Sequence, residues 1–236
     1  MGDSNMVDDG LANLNIMDDE EEPLVVVGAN IATGQLYDLC LVGRVLKDSV
    51  VNFPSVKNTP TDLWHPLRGV AISELEGKRI LFKFYSEVDL NRVMDGMPWF
   101  FNRHLIIFHR LIEGEDPITV SLWETVFWVQ IHNLPVGVVT EGMTRQFGDF
   151  IGKFLEYDTS MVLRGVSRFM RIKVLLDTRS PLKRKKLIDI GQSKSSYVSF
   201  QYERLSLFCF LCGRLGHGKS FCQVRLTLGN QQVEFG

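Results

Sequence analysis

The most constraining feature of this chain is the string Cys209-Phe210-Leu211-Cys212-Gly213-Arg214-Leu215-Gly216-His217-Gly218-Lys219-Ser220-Phe221-Cys222. Its three cysteines and one histidine are spaced C-x2-C-x4-H-x4-C. Two residues between Cys209 and Cys212 allow a tight turn that aims both thiolates at one ion. Four residues on either side of His217 bring the imidazole and Cys222 round to close a tetrahedron. Four protein ligands leave no open position for water, so the cofactor expected is one structural Zn2+ and not a catalytic one. Gly213 and Gly216 fall where the chain must double back, and glycine reaches positive φ without steric cost. So small a unit has little core of its own, which makes metal binding its folding free energy. A disulfide is the poorer alternative. The N-terminus carries Asp3, Asp8 and Asp9 where a secretion signal needs basic and then apolar residues.

The string resembles the zinc knuckle of retroviral nucleocapsid proteins and their cellular relatives, in ligand spacing, in the aromatic Phe210 after the first cysteine, and in the Gly216-His217 pair. The resemblance implies that Phe210 stacks on an unpaired base and that Arg214 and Lys219 contact phosphates. Many knuckles place an aromatic or polar residue before the Gly-His pair. Leu215 stands there in this chain, leaving a smaller π platform that Phe221 partly replaces. The alternative for Phe210 is packing within the knuckle.

Charge is partitioned along the chain, although the net formal charge is only -2. Residues 1–40 carry nine Asp or Glu and no Lys or Arg, residues 41–160 sum to -3, and residues 161–236 sum to +10. The basic end is where an anionic polymer would bind. Within it, Pro181-Leu182-Lys183-Arg184-Lys185-Lys186 reads as a basic turn. It is a solvated hairpin loop, a phosphate-contacting loop or a nuclear import signal, and the last two readings can hold together.

Ahead of the knuckle, residues 1–36 read as an acidic disordered arm, with Leu24–Val27 able to add an edge strand. From about residue 38 the pattern alternates. Strands are expected at Cys40–Leu46, Gly69–Glu74, Arg79–Tyr85 and Arg103–Leu111. A helix is expected from Phe53 to Trp64, shortened or kinked by Pro60. A second follows Ser86, with Asp89 in its first turn and Val88, Val93 and Met94 as its apolar stripe. Cys40 reads as a small core residue. This order resembles the RNA-recognition-motif topology, which reads RNA with aromatics on the exposed face of its third strand. The matching positions here are Arg79 and Leu81. Neither is aromatic and the local charge is negative, so a protein-interaction or scaffold role is expected of this domain.

A second, partial α/β unit follows. It has strands at Phe127–Ile131, Lys153–Asp158, Phe169–Leu176 and Tyr197–Tyr202, and a Thr140-capped helix to Ile151 carrying Met143, Phe147, Phe150 and Ile151. The stretch from about 38 to 222 resembles a plant family of retrotransposon-derived proteins that join an N-terminal domain of unknown function to a knuckle of this spacing. The likeness is carried by Gly69-Val70 through Phe82-Lys83-Phe84, Met97-Pro98-Trp99, Phe127 to Pro135, and Tyr202-Glu203-Arg204-Leu205. It implies an ORF1-like or Gag-like role in a LINE-type element or a gene descended from one.

The fold class expected is therefore α+β. An acidic arm (1–36) leads to an RRM-like βαββαβ domain (37–112), a second α/β unit with the basic turn (113–204), a CCHC knuckle (205–225) and a tail (226–236). No P-loop, GxSxG, HExxH or GxGxxG element is present, and His65, His104, His109 and His132 are scattered, so no catalysis is expected. No run of about 18 apolar residues offers a membrane span. Met6 stands where a myristoylation motif needs Ser or Thr. The partners expected are single-stranded RNA or DNA, bound through Phe210, Arg214, Lys219, Phe221, Lys183, Arg184, Lys185 and Lys186, with protein contacts or self-association through the N-terminal domain. The location expected is intracellular, with nuclear import through residues 183–186. The alternative function is a protein adaptor whose zinc unit is only a structural clip.

Overall fold

Short runs of β-branched and aromatic residues, alternating in burial, build two antiparallel five-stranded sheets in the computed structural model. It describes residues 37–47, 51–135, 140–159, 169–189 and 195–228. The acidic arm, Leu24–Val27 within it, and residues 229–236 lie outside the described residues.

The first sheet is made by β1 (Cys40–Val45), α1 (Phe53–Trp64), β2 (Val70–Leu75), β3 (Arg79–Phe84), α2 (Glu87–Asp95), β4 (Trp99–Phe101) and β5 (His104–Arg110), with strand order β2-β3-β1-β5-β4. Successive residues of a strand face opposite sides, and central β1 is buried on both. Leu41 and Val45 join Ile80, Phe82, Ile106 and Phe108 in a core with Val56 and Trp64 of α1 and Leu90 and Val93 of α2. Trp64 lies 5.5–5.9 Å, centroid to centroid, from Phe82, Phe84, Trp99 and Phe108. Helix α1 runs through to Trp64, where this packing anchors its end, since tertiary packing supplies most helical stability.

Helix α2 departs from its expected start and stripe. Ser86 makes no side-chain cap bond. Asp89 is buried instead and accepts hydrogen bonds from the backbone N–H groups of Leu67 and Arg68, each at 3.0 Å. These two bonds, with Arg92 and Arg68 nearby, hold its carboxyl below the usual carboxylate range despite burial. Leu90, not the exposed Val88, carries the buried stripe with Val93.

The second sheet is complete where a partial unit was expected. Its elements are β6 (Glu124–His132), α3 (Glu141–Ile151), β7 (Lys153–Tyr157), β8 (Phe169–Asp177), β9 (Lys185–Asp189) and β10 (Ser195–Tyr202), ordered β7-β8-β6-β10-β9. The Thr140 side chain caps α3 by accepting from the Met143 N–H at 3.2 Å. The basic turn is corrected here, because Lys185 and Lys186 open edge strand β9 and pair with Ser199 and Val198 of β10. Alternation was hidden in the sequence because four consecutive cations precede Leu187.

One apolar cluster spans both sheets. Cys40, Val42, Leu105 and Ile107 of the first join Phe127, Val129, Ile131, Ile172, Val174, Val198 and Phe200 of the second, with Phe147 and Ile151 of α3. The boundary drawn at residue 112 therefore separates sheets but not cores. The connector is pinned across the first sheet by arginines. The Arg79 guanidinium donates to the Pro117 and Val120 carbonyls (3.1 and 2.8 Å), and that of Arg44 donates to Leu122 O (3.0 Å) and lies 4.0 Å from the Trp123 ring centre. The face carrying Arg79 and Leu81, expected to be exposed, is thus engaged with the rest of the molecule, and Leu81 packs against the shared cluster.

Candidate metal centre and nucleic-acid interface

The four ligand side chains converge. One donor atom from each of Cys209, Cys212, His217 and Cys222 lies within 4.8 Å of all the others, and Cys212 Sγ is 3.3 Å from His217 Nε2. A tetrahedral zinc ion with bonds of about 2.3 Å to sulfur and 2.0 Å to nitrogen holds its donors roughly 3.5–3.8 Å apart. The cluster fits that ion in donor type, number and spacing, and it is a structural zinc site.

Local backbone geometry explains the convergence. Gly213 N–H donates to Cys209 O (2.8 Å) and Cys209 N–H to Arg214 O (2.9 Å), closing the first turn. Gly213 (φ +74°) and Gly216 (φ +93°) take the left-handed conformation that their positions led us to expect. A short 3-10 turn, Lys219–Phe221, then delivers Cys222, which precedes helix α4 (Gln223–Leu228).

Electrostatics set the first two thiols apart. Burial opposes ionisation of Cys209, but the N–H groups of Cys212 and Leu211 and the thiols of Cys222 and Cys212 outweigh it and lower its pKa. Burial pushes the Cys212 thiol up to about 11, with the neighbouring sulfurs adding to the penalty. A second thiolate beside the first needs the cation's charge, so metal binding releases protons.

The knuckle is docked on the body of the protein, which sequence reasoning missed. Leu215, read there as a reduced π platform, is 5 % exposed and belongs to the apolar cluster of the two sheets. Its backbone forms a bridge with Phe208, which packs on the same cluster. Leu182 N–H donates to Gly213 O at 2.7 Å. A Cβ on Gly213 would meet Pro181 at 3.2 Å, and one on Gly216 would meet Leu46 at 3.0 Å. Sequence did hold a signal for this. A coreless metal unit has no interior for an aliphatic side chain, so Leu215 required a surface outside the unit.

Every residue expected at the nucleic-acid interface is solvent-exposed. Phe210 is 64 % and Phe221 84 % accessible, and Arg214, Lys219, Lys183, Arg184, Lys185 and Lys186 are exposed. Phe210 also meets Phe208 edge-on at 5.1 Å, so it packs within the knuckle along one edge while most of the ring faces solvent. The Lys186 and Lys183 ammonium groups lie 4.5 and 5.8 Å from the Phe150 ring centre. The four scattered histidines do not assemble. His104 bonds Leu46 O, the His109 ring N–H donates to Glu115 (2.7 Å), His132 bonds Gln130, and His65 is exposed. Among the described residues the knuckle holds the one group of three or more metal-ligating side chains.

Comparison with known families agrees with this geometry. A family described as zinc knuckle matches residues 176–224, starting well ahead of Cys209 and so taking in the basic segment. A domain of unknown function, DUF4283, matches residues 35–119, which span the first sheet and part of the connector. The chain is 27% identical over 139 residues to an uncharacterized protein from Arabidopsis thaliana, At4g02000, the match covering 58% of this chain and 43% of that protein. The chain thus spans less than half the length of this relative. It joins a DUF4283 match to a zinc-knuckle match, and it is similar over 139 residues to a protein from Arabidopsis thaliana. A knuckle of this type points to zinc-dependent nucleic-acid binding. No described helix is long and apolar enough to cross a membrane.

Proposed function

We propose that this chain binds single-stranded RNA or DNA through its zinc-loaded knuckle, with low sequence specificity, as an ORF1-like or Gag-like protein of retroelement descent. The observation that carries the reading is the contrast within the knuckle. Its Cys209 and Cys222 ligands are buried while Phe210 and Phe221 stand 64 % and 84 % exposed. Large rings held in water on a metal-ordered turn suit stacking on unpaired bases, worth roughly 1–3 kcal/mol per base. One knuckle reads few bases, hence the low specificity. The role is binding, not catalysis.

Strands β2, β3, β1 and β5 lying side by side support an RRM-like reading, although the short strand β4, not expected from the sequence, adds a fifth strand and departs from the βαββαβ order. We assign it no RNA contact, since the face an RRM uses is packed here against the second sheet and the connector. Burial of Leu215 favours a second reading, a protein adaptor in which the zinc unit only clips the fold together. Nuclear import through Lys183–Lys186 belongs to the main proposal, and a fluorescent fusion remaining cytoplasmic would count against it.

Fluorescence anisotropy of a labelled single-stranded oligonucleotide tests the main reading, with zinc-loaded and chelator-stripped protein compared at several salt concentrations. Salt-sensitive binding that collapses without zinc and weakens roughly 5- to 150-fold in Phe210→Ala is expected. No binding at low salt would leave the adaptor reading standing.

A further inference from the structure

The zinc knuckle and the basic segment 183–186 were separate features of the sequence, and the fold joins them. The Leu182 N–H to Gly213 O bond makes exposed Lys183 and exposed Arg214 the immediate chain neighbours of the two bonded residues. Residue by residue, the basic segment is fixed to rigid structure. Leu182 is 8 % exposed in the main cluster, Tyr202 Oη–H donates to Lys183 O (2.8 Å), Phe200 N–H donates to Arg184 O (2.8 Å), and Lys185 and Lys186 are in β9. On the other side of the junction, Leu215 fixes the knuckle to the same cluster. Neither part can swing against the other without exposing apolar surface.

We infer that Phe210, Phe221, Arg214 and Lys219 of the knuckle and Lys183, Arg184 and Lys186 form one continuous surface crossed by one nucleic-acid strand, while Lys185, on the opposite face of β9 over Tyr197, adds its charge from the edge. The knuckle takes an unpaired base, and the basic strip takes the phosphates that follow. This rests on the nucleic-acid reading above and adds a footprint to it, longer than a knuckle alone would cover. Because the parts are locked together, little flexibility is lost when both are engaged, and their contributions multiply in the binding constant.

Zinc-loaded full chain is titrated against labelled oligothymidylates of four and twelve nucleotides. Three proteins are compared: wild type, K183Q/R184Q/K185Q/K186Q, and K57Q/R68Q/K78Q/K153Q, which removes equal charge from residues outside the knuckle and strip. The expected stoichiometry is one 12-mer per chain. The strip variant should weaken 12-mer binding at least tenfold and leave 4-mer binding within about twofold. It should also flatten the salt dependence by roughly 0.7 in log–log slope for each phosphate that the strip no longer neutralises. The charge control should bind the 12-mer within about threefold of wild type. An unchanged 12-mer affinity in the strip variant overturns the continuous surface, as do two 12-mers per chain or equal losses in strip and control variants. Failure of wild type to bind either oligonucleotide overturns the nucleic-acid reading itself and is distinct from those outcomes.

Discussion

Leu215→Ala tests whether the knuckle is part of the body or a bead beside it. The substitution removes three carbons from a side chain 5 % exposed in the cluster that holds both sheets together, and it leaves all four zinc ligands in place. Truncating a buried leucine costs about 2–5 kcal/mol, from the transfer free energy forgone and the cavity left behind. Leu215 enters the cluster from the knuckle, and a unit so small can settle inward, so the lower half of that range is expected. With a urea m-value of about 2–3 kcal/mol/M, the unfolding midpoint falls by roughly 1 M. Tryptophan fluorescence is the assay, because Trp64, Trp99, Trp123 and Trp128 all lie outside the knuckle and report the body alone. Phe210→Ala is the control. That ring is 64 % exposed, and its removal should change stability by no more than about 0.5 kcal/mol. If zinc-loaded Leu215→Ala unfolds at the wild-type urea concentration, the docking argument fails, and the continuous surface fails with it.

Chelation should lower the same tryptophan-reported midpoint, since Leu215 and Gly213 lose their placement when the ligands part; an unchanged midpoint would mean the body does not feel the metal. Gly148→Ala sets two effects against each other in α3. Helix propensity favours alanine by about 1 kcal/mol, but its Cβ would lie 2.5 Å from Phe154 Cδ2 and 2.7 Å from Phe154 Cβ, so a net loss of roughly 1–3 kcal/mol is expected in urea unfolding. Asp89 has a lowered folded pKa, so its contribution is fully present above the ordinary aspartate range and is lost as pH falls through the folded value. Amide exchange at Leu67 and Arg68 should therefore lose protection in acid, and Asp89→Asn, which keeps a single acceptor oxygen for two donors, should weaken it at neutral pH. Equal protection in Asp89→Asn would show that the carboxylate does not hold the loop.

The zinc ligands were legible because chelation is local. Residue types and spacing within one short string fix the donor set, and the backbone turns follow from it. Strand periods were legible wherever one face is apolar and the other polar, as in Arg79–Phe84 and Phe169–Asp177. Legibility ended where partners lie far apart in the chain. Ser86 and Asp89 resembled a capping pair, yet the donors that claim Asp89 are at Leu67 and Arg68. Lys185–Asp189 became a strand only because β10 offered an unpaired edge.

What the sequence by itself determined is the metal, its four ligands, and the concentration of positive charge toward the C-terminal end of the chain. What only the tertiary structure decided is their arrangement. It turned Leu215 from an apparent departure from a binding motif into the anchor of the knuckle, and it set Lys183 beside Arg214. It also engaged the Arg79 and Leu81 face that was expected to be open. The physical reason is common to all three. A chelate closes through nearby residues, whereas a hydrophobic side chain carries no address, and the surface it buries against exists only once distant strands have assembled.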